Sequence, residues 1–360
     1  MMRRSFVILS LAALLVSSCY RQERDDSGNV IPVDWNGYVY FGSDVSTRTP
    51  VITSMSGKSF GVVTFKYTSD WNTFKATGTP ESSGQSSVPE GKYGFPCPTE
   101  VACDGTALCT YDASSTTAGT QLVEWESGKK YSFFAYYPLA SSTNGVTMNS
   151  TASTVGAPTL TYTVPSWTDP SVLPDIMTAS VIDATNNGDG TVGFTFSHRL
   201  CCIDVQARNL NNYVESVKNL KLNITTDVYT SVNISMDASA ALVPSGTKSG
   251  GISYQIIADD ESKKVTLPVI TGSSSSTVNL SGDNNIIFIP QTIADKGKLS
   301  GSISFTNAAG DSKTQNFVSD KDFEAGKKYS FIISFADESI SIAIIESGDW
   351  LDNNQDIIFE

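Results

Sequence analysis

The sequence is poor in the residues that enzymes commonly use for acid–base and nucleophilic chemistry. It contains a single histidine, His198, in 360 residues. No serine or cysteine motif of a hydrolase accompanies that histidine. No glycine-rich phosphate loop and no paired-carboxylate motif stands out. These absences argue against an enzyme and give no sign of a cofactor, so we interpret His198 as a structural residue of a strand.

Positive charge and helix-forming segments are also scarce. The chain has 24 Lys and Arg against 37 Asp and Glu, a net charge of −13. The mature chain is nearer −15, because Arg3 and Arg4 lie in a removable leader. This excess of negative charge argues against nucleic acid and anionic lipid as partners. Stretches rich in Ala, Leu, Glu and Lys are absent after the leader, whereas Ser, Thr, Gly and Asn are abundant, which predicts short strands joined by polar loops.

One sequence pattern occurs twice, about two hundred residues apart. Residues 125–138 read Trp-Glu-Ser-Gly-Lys-Lys-Tyr-Ser-Phe-Phe-Ala-Tyr-Tyr-Pro, and residues 323–335 read Phe-Glu-Ala-Gly-Lys-Lys-Tyr-Ser-Phe-Ile-Ile-Ser-Phe. Each copy predicts a tight turn, in which Gly128 or Gly326 takes a positive φ, followed by an apolar strand. Alternation places two sets of three on single strand faces: Tyr131, Phe133 and Ala135, and Tyr329, Phe331 and Ile333. Two similar β domains explain this spacing better than a solenoid.

The first 18 residues have the pattern of an export signal that ends at a cysteine. A basic start precedes an apolar run from Phe6 to Val16, which is too short to span a bilayer. The run ends at Val16-Ser-Ser-Cys19, which predicts a bacterial lipobox with a lipid anchor on Cys19. An ordinary signal peptide with an incidental cysteine is the alternative. The polar residues after Cys19 predict a tether to the membrane surface.

Five further cysteines follow Cys19. Export permits disulfides, and Cys97, Cys103 and Cys109 could hold one bridge whose pairing the sequence leaves open. A metal site is disfavoured, because no histidine and no Cys-x-x-Cys lies nearby. Cys201 and Cys202 are adjacent in a predicted strand, so we expect one to lie in the core and the other to face outward.

Strands alternate with polar turns along most of the chain. Residues 33–41 alternate apolar and polar positions, and an exposed loop that contains Arg48 follows them. No segment has a persuasive helical period. We place a domain boundary at residues 185–186. In the second half we predict strands at 216–225, 229–236, 253–258, 264–270, 285–290, 299–306, 328–335 and 339–345.

Two other features have residue types that are typical of binding sites. Residues 183–188 resemble the start of a calcium loop, but the twelfth position is Phe194 rather than Glu, so we predict a turn between strands. Trp71 and Trp167 could line a sugar site, although such residues of a β-sandwich more often pack in the core.

The order of the motifs resembles that of the fimbrillin family, the lipoprotein subunits of type V pili. The resemblance covers nearly the whole chain and rests on collinear motifs rather than on any one of them. Those motifs are the lipobox at Cys19, Thr47-Arg-Thr-Pro50, residues 125–138, Asp175-Ile-Met-Thr-Ala179, Phe194-x-Phe-x-His198, Ile287-Phe-Ile-Pro-Gln291, Gly326-Lys-Lys-Tyr-x-Phe331 and Trp350.

The resemblance implies an all-β protein with two transthyretin-like antiparallel β-sandwich domains in tandem. It implies a lipid-anchored subunit at the surface of the outer membrane that is assembled into a pilus and serves cell adhesion. Other pilin subunits are the expected partners, together with an arginine-specific protease and a ligand on a host or bacterial surface. The expected layout is a signal peptide at 1–18, a tether with a removable first strand at 19–48, and β-sandwich domains at 49–185 and 186–360.

The resemblance also implies how subunits would join. Cleavage between Arg48 and Thr49 would release the strand at Val33 to Phe41, and a strand from another subunit would fill the groove. The candidate donor residues are Ile340, Ile342, Ile344, Ile357 and Phe359. The alternative is a tip, an anchor or a lipid-anchored glycan-binding protein that does not polymerise and that uses loops 70–120 and 140–170.

Overall fold

The computed structural model describes residues 40–45, 58–80, 90–93, 99–103, 108–110, 125–149, 156–165, 169–186, 190–210, 214–237, 239–270, 276–282, 285–291, 299–336 and 339–349. Its regular structure is almost entirely β, which confirms the all-β prediction. None of the helices in these ranges is both long and apolar enough to cross a bilayer.

The strands of the first half run from β1 to β11. Their bounds are β1 (Tyr40–Val45), β2 (Ser59–Tyr67), β3 (Thr79–Pro80), β4 (Lys92–Tyr93), β5 (Thr99–Cys103), β6 (Leu108–Thr110), β7 (Lys130–Tyr137), β8 (Val146–Met148), β9 (Thr159–Thr163), β10 (Met177–Ala184) and β11 (Thr191–His198). Helix α1 (Trp71–Thr77) follows β2, and a 3-10 helix occupies Pro170–Val172.

The strands of the second half run from β12 to β24, with a 3-10 helix at Glu261–Lys263. Their bounds are β12 (Cys201–Leu210), β13 (Ser216–Ile224), β14 (Val228–Ser235), β15 (Val243–Ser249), β16 (Ile252–Ile257), β17 (Val265–Thr266), β18 (Val269–Ile270), β19 (Val278–Asn279), β20 (Ile286–Phe288), β21 (Leu299–Asn307), β22 (Ser312–Ser319), β23 (Lys327–Ala336) and β24 (Ser339–Asp349).

Seven strands of the first half close into a barrel in the order β1-β11-β10-β7-β2-β5-β6, in which β6 pairs back to β1. Every ladder of this barrel is antiparallel except the one between β1 and β11, which is parallel. The interior is a separate apolar cluster of Phe60, Val62, Val101, Trp125, Tyr131, Phe133, Ala135, Met177, Ala179, Val192, Phe194 and Phe196.

Strand β7 is buried on both faces and therefore separates two cores. Tyr131, Phe133 and Ala135 point into the barrel, as the alternation predicted. Phe134 and Tyr136 point the other way, into the larger core of the molecule. Strand β2 alternates in the same manner beside it. A strand covered on both sides has no polar face, which explains the unbroken apolar run in the sequence.

The second half contains two sheets packed face to face. One has the order β18-β12-β23-β24, with β19 and β20 also paired to β12, and the other has the order β16-β13-β21-β22, with β17 paired to β13. Aromatic rings join them, because Phe305 contacts Phe335 and Phe317 contacts Phe331, each with ring centroids 5.3 Å apart. The ladder between β12 and β23 is parallel. The sandwich is therefore mixed at its centre rather than wholly antiparallel.

A fourth sheet joins the two halves of the chain. In it β8 and β9 continue the ladder of β14 and β15, in the order β15-β14-β9-β8. Strands β9 and β14 pair from Ser231–Thr163 to Ser235–Thr159. The division into domains at 185–186 remains a prediction. However, β11 lies beyond that point and pairs with β10, so the first barrel extends to His198.

The two copies of the repeated pattern form the same turn. Gly128 has φ 75° and Gly326 has φ 72°, as predicted. The backbone N–H of Glu126 donates to the Tyr131 hydroxyl at 3.1 Å, and the N–H of Glu324 donates to the Tyr329 hydroxyl at 2.8 Å. The leading aromatic packs on the same tyrosine in both, with centroids at 4.9 Å for Trp125 and 4.6 Å for Phe323. The tyrosine thus satisfies a turn N–H and fills the core at once.

Several elements were not predicted, among them α1, β8, β15, β19 and β22. Helix α1 begins after Asp70, whose carboxylate accepts from the N–H of Thr73 at 2.8 Å, and Asp183 accepts from the N–H of Trp71 at 2.9 Å. Strands β15 and β22 are polar edge strands. The eight strands predicted in the second half are all present, with the segment at 264–270 divided into β17 and β18.

Candidate functional site: the strand that closes the barrel

Strand β1 completes the barrel and has a neighbour on each side. Its six residues pair in parallel with β11, from Tyr40–Thr191 to Val45–Phe196. On the other side Phe41 pairs with Cys109, and Gly42 pairs with Leu108. The predicted strand at 33–41 overlaps β1 at Tyr40 and Phe41, while residues 33–39 lie outside the described residues. The observed strand therefore ends closer to Arg48 than expected.

Strand β11 depends on β1 for most of its backbone pairing. Its ladder with β10 contains only Met177–His198 and Thr178–Ser197 in the described structure. Residues 191–196 pair with β1 alone among the described strands. Every second residue of this segment directs its N–H and C=O groups to β1, so loss of β1 would leave one edge of residues 191–196 without a partner in the described sheet.

The side chains of β11 form much of the barrel interior. Phe194 and Phe196 are 1% and 0% exposed, and both meet Phe60 edge to face, with centroids 5.9 Å and 5.2 Å apart. Burying each phenyl contributes about 2 kcal/mol. A barrel opened beside β11 would thus expose a groove that is both apolar and unpaired, and another strand could fill it.

The predicted processing and lipid sites lie outside the described residues. These are Cys19, Arg48 and Thr49. Strand β1 ends at Val45, three residues before Arg48. A cut after Arg48 would therefore separate β1 from the rest of the barrel without removing any residue from another described strand.

The predicted donor residues divide into two groups. Ile340, Ile342 and Ile344 lie in β24, which pairs antiparallel with β23 from Ala336–Ser339 to Lys327–Asp349. These three isoleucines are half-buried and pack against the large core. Strand β24 is the last strand of its sheet, and no described strand pairs with its outer edge. Ile357 and Phe359 lie outside the described residues.

The single histidine is buried and hydrogen-bonded to a carboxylate. Nδ1 of His198 lies 2.8 Å from Oδ1 of Asp175, and both side chains are 1% exposed. His198 ends β11, and Asp175 precedes β10. Their contact therefore links the two strands beside the short ladder between them, which has two residue pairs. Arg199 follows and donates to the carbonyl of Ala240 at 2.5 Å. Burial lowers the pKa of Arg199, partly opposed by Asp237. This arrangement supports the structural reading of His198.

Two residues weighed as binding groups have structural contacts. Trp71 is 5% exposed and packs on Phe65, Phe74 and Phe134, so it belongs to the core. Asp183 accepts the helix N–H described above. Trp167 lies outside the described residues. No group of three or more His, Cys, Asp and Glu in the described ranges could hold a metal.

The expectation for the adjacent cysteines is wrong in part. Cys201 and Cys202 do lie on opposite faces of β12, but both are buried and neither is in a disulfide. The Sγ atom of Cys201 donates to the carbonyl of Phe288 at 3.1 Å. Burial raises the pKa of both thiols. The prediction failed because it assumed a solvated outer face, whereas β12 is covered on both sides.

A cavity of about 560 Å³ opens at the first copy of the turn. Its lining includes the ring of Trp125 together with residues that carry hydroxyl, amide and charged groups. The lining residues are Thr68, Trp125, Glu126, Ser127, Gly128, Lys129, Lys130, Thr185 and Asn186. Lys129 pairs with Glu90, and Glu126 pairs with Lys66, each at 2.5 Å. Among the described residues, no carboxylate oxygen lies within 4.0 Å of the Lys130 ammonium nitrogen, so Lys130 forms no ion pair there.

The described structure is an all-β protein whose first barrel is closed by β1, a strand from a distant part of the chain. The profile of the fimbrillin-like family matches residues 99–350. The chain therefore belongs to the fimbrillin-like family, which makes it a structural protein rather than an enzyme. No curated protein matches the chain.

Solved structures share this architecture. A candidate cell adhesion protein from Bacteroides ovatus is 13% identical with a TM-score of 0.54, and the match covers 88% of this chain and 99% of the other. A second, from Bacteroides uniformis, is 15% identical with a TM-score of 0.50 over 87% of this chain and 98% of the other. At these identities the likeness shows the fold alone.

Proposed function

We propose that this chain is a subunit of a type V pilus that is exported as a lipoprotein and polymerises by strand exchange. Membership of the fimbrillin-like family supports the general role. The observation that carries the mechanism is the position of β1, which is the only described partner of residues 191–196 and ends three residues before Arg48.

In the proposed mechanism the lipid on Cys19 first holds the precursor at the outer membrane. An arginine-specific protease then cuts between Arg48 and Thr49, and β1 leaves with the tether. This exposes the interior face and the backbone of β11 to solvent. A strand of another subunit restores both the pairing and the apolar contacts, because its alternate side chains replace those of β1.

Residues 356–360 are a better candidate for the donor strand than β24. Moving β24 would strip β23 of its antiparallel partner and uncover the core beneath Ile340, Ile342 and Ile344. Each half-buried isoleucine contributes about 1 kcal/mol or more where it lies now. As a strand in the groove, residues 356–360 would direct Ile357 and Phe359 to one face by alternation. They are therefore the donor side chains that this mechanism assigns to the groove.

Surface display and adhesion follow from this mechanism. The polymer would stand on the outer membrane, with other pilin subunits as partners and a host or bacterial surface molecule as ligand. A subunit that is lipidated but not cut would serve as an anchor, and one without a donor strand would serve as a tip.

Polymerisation is tested with the lipid-free protein, residues 20–360, and an arginine-specific protease. Intact mass and size-exclusion chromatography follow the reaction. We expect loss of residues up to Arg48 and SDS-resistant oligomers. Arg48→Lys is the matched control, since it keeps the charge but should resist the enzyme and remain monomeric. Arg21 and Arg24 lie upstream, so cleavage there leaves β1 attached. A fully cut chain that has lost β1 and stays monomeric would contradict the proposal.

A second candidate function is glycan binding at the cavity beside the first turn. Its volume suits a small saccharide. Its hydroxyl and amide groups can exchange hydrogen bonds with sugar hydroxyls, and Lys130 can bind a carboxylate. We expect saturable binding of glucuronate that glucose does not reproduce, measured by titration calorimetry. Lys130→Met should weaken it about fivefold, whereas Lys75→Met, on α1 away from the cavity, should not. Equal binding of both sugars, or no effect of Lys130→Met, would reject this function.

A further inference from the structure

Two cysteines of the first half occupy directly opposite backbone positions in a pair of strands. Strands β5 and β6 are antiparallel, and their register pairs Ala102 with Thr110 and Cys103 with Cys109. Residues directly opposite in such a pair share a face and have Cα atoms about 4.5–5.5 Å apart. A disulfide needs a Cα separation of about 4.4–6.8 Å, so the backbone is already in the required geometry.

We propose that Cys103 and Cys109 form a disulfide in the exported protein. The inference rests on the export step of the proposed function, because an oxidising compartment is needed. The two thiols lose two protons and two electrons as the S–S bond forms. A disulfide oxidant of that compartment accepts the electrons by thiol–disulfide exchange and becomes a dithiol.

The register separates this pairing from the other combinations of cysteines. Cys201 and Cys202 are buried in β12 as free thiols, so they are removed from exchange. Cys97 precedes β5 and lies outside the described residues, and Cys103 and Cys109 are the two that a ladder places opposite one another. The bridge leaves Cys97 as the unpaired thiol of the three.

The position of the bridge links it to strand exchange. Cys109 pairs with Cys103 on one side and with Phe41 of β1 on the other. When β1 leaves, the ladder that β6 keeps within the described residues is the short one with β5, which has two residue pairs. A covalent link between the strands holds β6 in register, so that an incoming strand meets a preformed edge. The disulfide therefore acts on the receiving groove rather than on the donor.

Peptide mapping tests the pairing directly. The exported wild-type chain is denatured, its free thiols are alkylated without reduction, and it is digested after Glu100 and before Asp104. These cuts separate all three cysteines. We expect the Cys103 and Cys109 peptides to be linked, with Cys97, Cys201 and Cys202 alkylated. Alkylation of Cys103 and Cys109, or a bridge to Cys97, overturns the inference.

Failure of the inference and failure of the proposed function are distinguishable in the same sample. The intact mass reports whether the leader has been removed at Cys19 and whether Arg48 has been cut. Free thiols in a correctly exported, correctly cut chain overturn only the disulfide. A chain that keeps its leader overturns the export step and the disulfide with it.

A pair of variants tests the role of the bridge. The double variant Cys103→Ser with Cys109→Ser should lower the yield of oligomers after cleavage at least threefold, because β6 loses its register when β1 departs. Cys97→Ser is the matched control and should assemble as the wild type does. Equal yields from the double variant, in a chain whose peptide map shows the bridge in the wild type, reject the role in assembly.

Discussion

The two copies of the turn and strand have the same local structure and different surroundings. In the first half β7 lies between two antiparallel neighbours, β2 and β10. In the second half β23 lies between the parallel strand β12 and the antiparallel strand β24. The pattern Glu-x-Gly-Lys-Lys-Tyr thus fixes a turn, a tyrosine contact and a strand face. It does not determine which strands come to lie beside it.

The two halves also complete their sheets in different ways. The first half closes on β1, which is separated from its partner β11 by about 150 residues and has a short ladder on its other side. The second half ends on β24, which follows directly after β23 and pairs along its length. A cut after Arg48 would leave β1 without a covalent link to the barrel, whereas β24 would stay joined to β23 by a short connection. This difference points to β1, rather than β24, as the removable strand.

The largest expected loss of stability comes from comparing a side chain inside the barrel with one in the edge strand of the second half. Phe196→Ala should destabilise the protein by about 4 kcal/mol, because the side chain is fully buried in the barrel. Ile342→Ala in β24 should cost about 2 kcal/mol, because this isoleucine is half-buried at an edge. Urea unfolding followed by tryptophan fluorescence measures both. Equal losses of unfolding free energy in the two variants would show that β24 is packed as tightly as the interior of the barrel.

The second lysine of each turn gives the next comparison. Lys328 pairs with Asp204 at 2.9 Å, and the Asp204 side chain is 1% exposed. Lys328→Met should therefore cost about 3 kcal/mol, since it leaves a buried carboxylate without its partner. Lys130→Met should change stability by less than about 0.5 kcal/mol, because no carboxylate of the described residues forms an ion pair with Lys130. A similar loss in both variants, by the same unfolding measurement, would mean that the turns are equivalent in energy as well as in shape.

The smallest effect should come from the shared tyrosines. Tyr131→Phe and Tyr329→Phe each remove the acceptor for a turn N–H, and each should cost about 1 kcal/mol. The two losses should agree within the error of thermal unfolding, because the contact is the same in both copies. Tyr162→Phe is the matched control, because it makes the same substitution at a buried tyrosine outside the two turns. If only one of the two variants lost stability, the turn N–H in the other variant would have found another hydrogen-bond acceptor.

Local features were predictable from the sequence. Glycine spacing predicted the two positive φ angles, and alternation predicted the inward faces of β7 and β23. Most strands of the second half were also found, because each one joins a period of two to nearby turn residues. The family resemblance predicted the all-β class. These features depend on neighbours in the chain, which a single sequence displays directly.

Features that depend on distant contacts were missed or displaced. Strands β15 and β22 were not predicted, because they are polar edge strands and β15 contains Pro244 and Gly246. Helix α1 has only two turns, and its start depends on Asp183, which lies far along the chain. Burial of Cys202 depends on what covers the outer face of β12. Of the site, the order of β1 and Arg48 was predicted, while the parallel pairing with β11 was not.

The most direct measurement of the central claim is hydrogen exchange at the β11 amides before and after cleavage at Arg48. The amides of residues 191–196 that donate to β1 should be protected in the intact chain and exchange at least tenfold faster once β1 has left, and their protection should return in the oligomer. Amides shared by β7 and β10 serve as the internal control and should change little. Unchanged protection of residues 191–196 after β1 has been lost would contradict the account.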